Sequence, residues 1–157
     1  MNEEMKWTKD IETGIEEIDF QHRKFFELMN ALLNLAFSGE EAEKIPKSID
    51  MIKSYIRYHF SMEEELMIKS SYHLYKEHLA AHHYFKEEIS KMECLLKDQK
   101  EPPKALITRY NYMLVEWFLK HIKVMDKRMS VHLKEFKEKN SSFISKMSEI
   151  LKKPFSS

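Results

Sequence analysis

The sequence predicts an all-α protein: an antiparallel up-down-up-down four-helix bundle with an N-terminal arm and a short extra C-terminal helix. Three observations predict it. Only two glycines and four prolines occur in 157 residues, too few for a β or α/β fold built on tight turns. Apolar residues recur at helical steps along four long segments joined by short connectors, the pattern of neighbouring helices that each bury one face. Each of those inner faces also carries histidine or a carboxylate, and between-helix metal sites are a known use of such bundles.

The elements follow in order. Residues 1 to 18 form an irregular arm with Trp7 as a packing anchor and Gly14 as a bend, and Asp19 is placed to cap a first helix ending near Phe37. The stripe Phe26, Met29, Leu33 and Ala36 on that helix, stepped back by four, points His22 inward. Gly39 ends the helix, and Pro46 falls in the first turn of the next, where its missing N–H costs nothing. The second helix presents Ile45, Ile49, Ile52, Ile56, His59, Glu63 and Leu66 on one face. After a connector near Ile68 to Ser71, the third, about residues 72 to 97, presents His78, His82, Phe85, Ile89, Met92 and Leu96. Pro102 and Pro103 break the chain. A fourth helix from about Lys104 turns Ile107, Tyr110, Leu114, Trp117 and His121 inward, with Asp126 following. Beyond Asn140, the residues Phe143, Ile144, Met147, Ile150 and Leu151 make a fifth amphipathic segment.

Composition excludes several function classes. With 26 basic and 26 acidic residues, the chain has no net field to hold nucleic acid or an anionic membrane. No apolar run approaches a membrane span, the N-terminus lacks a signal core, and the single Cys94 excludes an internal disulfide. The expected location is cytoplasmic.

The inward polar set is His22, His59, Glu63, His78, His82, His121 and Asp126. Buried together without compensation, these groups would cost several kcal/mol per unpaired charge. Seven donors exceed the four to six that one transition-metal ion takes, whereas two ions sharing carboxylates would use them all. Glu63 and Asp126 are the natural bridges, and imidazole with carboxylate suits iron while zinc, manganese and copper are less easily excluded. His121 and Asp126 are five residues apart, about 140° around a regular helix, so both reach one site only if the helix widens or ends near Val124. His83 turns about 100° away from the inner face. His73 and His132 are likewise read as non-ligands, His132 facing solvent as His83 does, and Glu64 and Glu65 as a solvated face.

The segments GIEEIDFQH ending at His22, HFSMEE from His59, HLAAHHYF from His78 and WFLKHIKVMD from Trp117 to Asp126 resemble the hemerythrin family, specifically its single-domain bacterial members, in order and spacing. The resemblance covers about residues 7 to 130, and it divides the chain into a bundle of residues 1 to 132 and an extension of residues 133 to 157. Hemerythrins are themselves a standard example of the four-helix bundle, so fold and resemblance are not independent. The resemblance implies a di-iron centre that binds O₂ reversibly, for storage, delivery or sensing. It implies two iron ions per chain: His78, His82 and His121 on one, His22 and His59 on the other, with Glu63, Asp126 and an oxo or hydroxo group between them. Small anions such as azide would compete with O₂. The chain departs from the family pattern at His73, where Pro is common, at Phe118, where Leu lines the oxygen pocket, and in its tail. Phe118 lies three residues before His121, about 60° around the helix, and is expected to wall the O₂ pocket.

A second class is a di-iron enzyme acting on O₂, peroxide or nitric oxide. Its ferritin-like form requires two Glu-x-x-His motifs. None is present: the residues three before the eight histidines are Asp19, Ile56, Ser70, Tyr75, Leu79, Ala80, Phe118 and Met129. The expectation is therefore a binding protein and not an enzyme.

Overall fold

A computed structural model describes residues 6–39 and 42–156. The chain runs through α1 (Glu16–Ser38), α2 (Ile45–Lys69), α3 (Tyr75–Asp98), α4 (Pro103–His121), a π-helical turn (Ile122–Asp126), α5 (Lys127–Lys139) and α6 (Ser142–Leu151), with short 3-10 turns at Lys9–Ile11 and Ala42–Lys44. Among the described residues there is no strand. Packing joins α1 to α2, α2 to α3, α3 to α4 and α4 back to α1, a closed ring of four. Neighbours are antiparallel: Gln21 near the start of α1 meets His59 late in α2, and Lys53 early in α2 pairs with Glu93 late in α3. No described helix is long and apolar enough to cross a membrane.

Local chemistry sets the helix ends. Gly39 closes α1 with φ +66°, a left-handed conformation that costs glycine least. Pro46 sits in the first turn of α2. Asp19 does not cap α1. That helix starts three residues earlier, and the Asp19 carboxylate reaches back to accept from the Thr13 N–H at 2.7 Å, the Thr13 hydroxyl at 2.8 Å and the Gly14 N–H at 3.1 Å. The arm is thereby tied to the first turn. Gly14 bends it with φ +82°, and a Cβ there would meet the Lys134 ammonium at 2.5 Å, the group that donates to the Thr13 carbonyl at 2.8 Å.

Two apolar clusters flank the polar layer. One, including Met29, Leu32, Ile49, Ile52, Ile89, Met92, Leu106 and Ile107, fills the bundle away from it. The other joins Ile15, Ile18, Met62, Leu66 and Met67 to Met129 and Leu133 and to Phe143, Met147, Ile150 and Leu151 of α6. The tail thus lies on its own bundle, against α2 and α5. Ile144, expected on the covered face, is 53% exposed. Its neighbour Phe143 takes the inward position instead, because adjacent helical residues diverge by about 100°.

Burying four α6 side chains contributes gross stabilisation of about 1.5–3 kcal/mol each, reduced by the ordering of the segment. A chain ending at Asn140 should therefore melt at least about 5 °C lower and keep the parent's size by light scattering. Unchanged melting with a changed oligomeric size would make α6 an association element instead.

Candidate metal centre

All seven inward residues lie at one level, near the start of α1, late in α2, early in α3 and at the α4–α5 junction, and each is at most 4% exposed. Because neighbouring helices are antiparallel, these four chain positions share one end of the bundle. The His59 Nε2 is 3.2 Å from Glu63 Oε1 one turn along α2. Across the interface, His82 Nε2 is 3.1 Å from Glu63 Oε2. Asp126 receives three histidines: His78 and His121 Nε2 at 3.0 Å from Oδ1, and His22 Nε2 at 3.0 Å from Oδ2.

The π-helical turn at Ile122–Asp126 makes the His121–Asp126 contact possible. A regular helix would carry Asp126 about 140° away from His121. The turn accommodates one extra residue, which restores both side chains to the inner face, while Lys123 and Val124 within it stay exposed. The widening that the five-residue spacing calls for is therefore present, and α5 continues beyond it.

The metal-facing atoms fall into two groups. Glu63, His78, His82, His121 and Asp126 converge on one point, and His22, His59, Glu63 and Asp126 on another, so both carboxylates belong to both groups. The donors fit metal. Apart from these close approaches to one another, the Nε2 atoms of all five histidines and both oxygens of Glu63 and of Asp126 are buried with no hydrogen-bond partner among the described residues. Such atoms are costly to bury unless a cation completes them. The buried cluster is a metal centre.

Surrounding side chains fix the imidazoles. His59 Nδ1 donates to Gln21 Oε1 at 2.8 Å, and His82 Nδ1 to Glu64 Oε1 at 2.9 Å, which leaves each Nε2 with its lone pair inward. Phe60 stacks on His82 at 3.8 Å between ring centroids and 5° between planes, and Trp117 stacks on His121 at 4.7 Å and 14°. Phe118 is fully buried, its ring 5.5 Å from His22 and 6.1 Å from His59.

Two of these partners contradict or escape the sequence reading. Glu64 is not part of a solvated face; it turns toward α3 and holds His82. Gln21 carried no signal of its own, being simply the residue before His22. The available clue was general: a ligating imidazole needs an acceptor for its second nitrogen. His132 is half-buried, not solvent-facing, and its Nε2 lies 3.0 Å from the Ser70 carbonyl. His73 and His83 are exposed.

Without metal, protons take the cations' place. Burial opposes charge on His22 and His78, yet the Asp126 and Glu63 carboxylates beside them raise their pKa values to about 9 and about 10. Burial pushes His59 and His121 down. The neighbouring imidazoles hold Glu63 and Asp126 well below the carboxylate range despite burial.

The hemerythrin HHE cation binding domain is the family model that matches, over residues 13–132. No curated protein matches the chain at a significant level.

The sign of the pH dependence follows from these shifts. Stability from His22 and His78 is complete below about 6.5, their unfolded value, and is lost as pH rises through about 9 to 10. The depressed His59 and His121 remove stability as pH falls below about 6.5. Metal-free protein should thus be most stable near pH 6.5, and metal binding at pH 7 should release about two protons per chain, fewer as pH approaches 10. Calorimetry in buffers of different ionisation enthalpy measures the release. None at pH 7 would contradict the protonated cluster.

Proposed function

Because the chain belongs to the hemerythrin HHE cation-binding family, we propose that it binds O₂ reversibly at a di-iron centre, for storage, delivery or sensing, and turns over no substrate. The observation that carries this reading is the inequality of the two donor groups. One offers five protein donors and the other four, with Glu63 and Asp126 common to both. His78, His82 and His121 with both carboxylates would offer one ion five protein donors, which a solvent-derived ligand would complete to six. The ion held by His22 and His59 would keep one position for an added ligand, O₂ or a competing small anion such as azide. When bound, a ferrous pair supplies the two electrons that hold the gas and takes them back when it leaves.

The chain's own residues determine what happens around that position. Glu63 and Asp126 span both groups and hold them together. Phe118, packed on His22 and His59 and backed by Phe25, Phe26, Phe60 and Phe85, keeps water from the two-histidine side. The other buried carboxylates among the described residues, Asp19 and Glu88, are engaged elsewhere, by Thr13 and Gly14 and by Lys91. Among the described residues, no buried carboxylate beyond Glu63 and Asp126 faces the cluster as a proton donor, which favours binding over oxidase or peroxidase turnover.

Protein loaded with two ferrous ions per chain under argon should develop a visible absorption band on exposure to O₂ and lose it when the gas is removed, through repeated cycles. Continuous O₂, peroxide or nitric oxide consumption with a reductant would instead make it an enzyme or scavenger. Phe118→Leu should speed azide entry and autoxidation about tenfold, or about 1.4 kcal/mol in barrier. Equal rates would remove Phe118 from the pocket wall.

A further inference from the structure

We propose that the strap following α6, Lys153 to Phe155, is a positioning element for the metal centre that fixes the His59 tautomer through Tyr58 and Gln21. The strap is held on α2 at three places. The Lys153 ammonium is 2.9 Å from Glu65, the Lys153 carbonyl accepts from the Tyr58 hydroxyl at 2.6 Å, and the Phe155 ring lies 5.1 Å from Tyr55 and 5.4 Å from Tyr58. Tyr55, Tyr58, Met62 and Glu65 form one stripe at helical steps. This stripe is adjacent to the one bearing His59 and Glu63.

The polarity of the contacts gives the strap its leverage. A carbonyl only accepts, so the Tyr58 proton points to Lys153 and the phenol oxygen is left to accept. Gln21 must then present its amide nitrogen, 3.3 Å from that oxygen and 3.4 Å from the Met62 sulfur. Its amide oxygen is thereby aimed at His59 Nδ1, 2.8 Å away, which must carry the proton and leave Nε2 free for metal. His82 needs no such chain, since Glu64 is itself an obligate acceptor. Of the two groups of donors, only the one containing His59 is tied to the strap. A surface groove of about 840 Å³ runs beside it, lined by Phe20, Gln21, Arg23, Tyr58 and Phe155, so the strap and Tyr58 meet solvent while Gln21 and the metal donors are buried.

The inference rests on the metal centre and not on which gas binds there. Its test uses ¹⁵N-histidine NMR of the full metal-free chain, of a chain ending at Lys152, and of Tyr58→Phe, which keeps the ring but removes the hydroxyl. Both variants should exchange the His59 Nδ1 proton at least about tenfold faster and mix its tautomers, the His82 proton staying unchanged as an internal control. The double variant should be no worse than either alone, since both cut one chain of contacts. Titrated with ferrous iron under argon, both should bind one of two ions about tenfold more weakly. An unchanged His59 proton in the shortened chain, or equal changes at His59 and His82, would overturn the proposal. A change confined to His59 in a protein that fails to bind O₂ reversibly would support the strap and sink the oxygen reading.

Discussion

The structure depends on the burial of seven charged or polar donors at one level of a helical bundle. Nothing in an apolar interior compensates five imidazoles and two carboxylates except cations. Protons do so only in part, since burial keeps His59 and His121 neutral while the carboxylates charge His22 and His78. Metal ions would satisfy the inward atoms of both donor groups at once. The four helices, the π turn and the ring stacks on His82 and His121 can all be understood as holding that donor set in register.

The two halves of the set are built differently. The three-histidine side is stiffened directly, by Glu64, by Phe60 stacked on His82 and by Trp117 stacked on His121. The two-histidine side has the phenyl wall of Phe118 and a hydrogen-bond chain leading outward through Gln21. Rigidity on one side and an apolar, adjustable margin on the other suit the proposed centre, in which one ion would be structural and the other would meet the ligand.

The convergence of six of the seven donors was legible because each sits on an otherwise apolar stripe, where periodicity assigns its direction; Asp126 is the exception. The π turn was legible in part: a spacing of five between His121 and Asp126 conflicts with a helical turn, and a local widening or an end to the helix near Val124 resolves the conflict, of which the structure has the widening. The surrounding residues were not legible. Gln21 and Glu64 each adjoin a ligand in sequence, and a step of about 100° leaves them on a flank whose neighbours only tertiary packing decides. His132 and Ile144 were misplaced on similar grounds, being flanking residues whose burial depends on Ser70 and on the tail. Asp19 shows a further limit, because a carboxylate that reaches back from the first turn has the same local sequence as one that caps it.

Glu63 belongs to both donor groups, which makes it the proposed bridge between two ions. Metal analysis of the protein purified with iron, and of its Glu63→Ala and His83→Ala variants, tests it most directly. Two irons per chain are expected in the parent and in His83→Ala, whose side chain is exposed, with occupancy of both positions falling in Glu63→Ala. One iron per chain in the parent, or equal losses in the two variants, would contradict the paired centre.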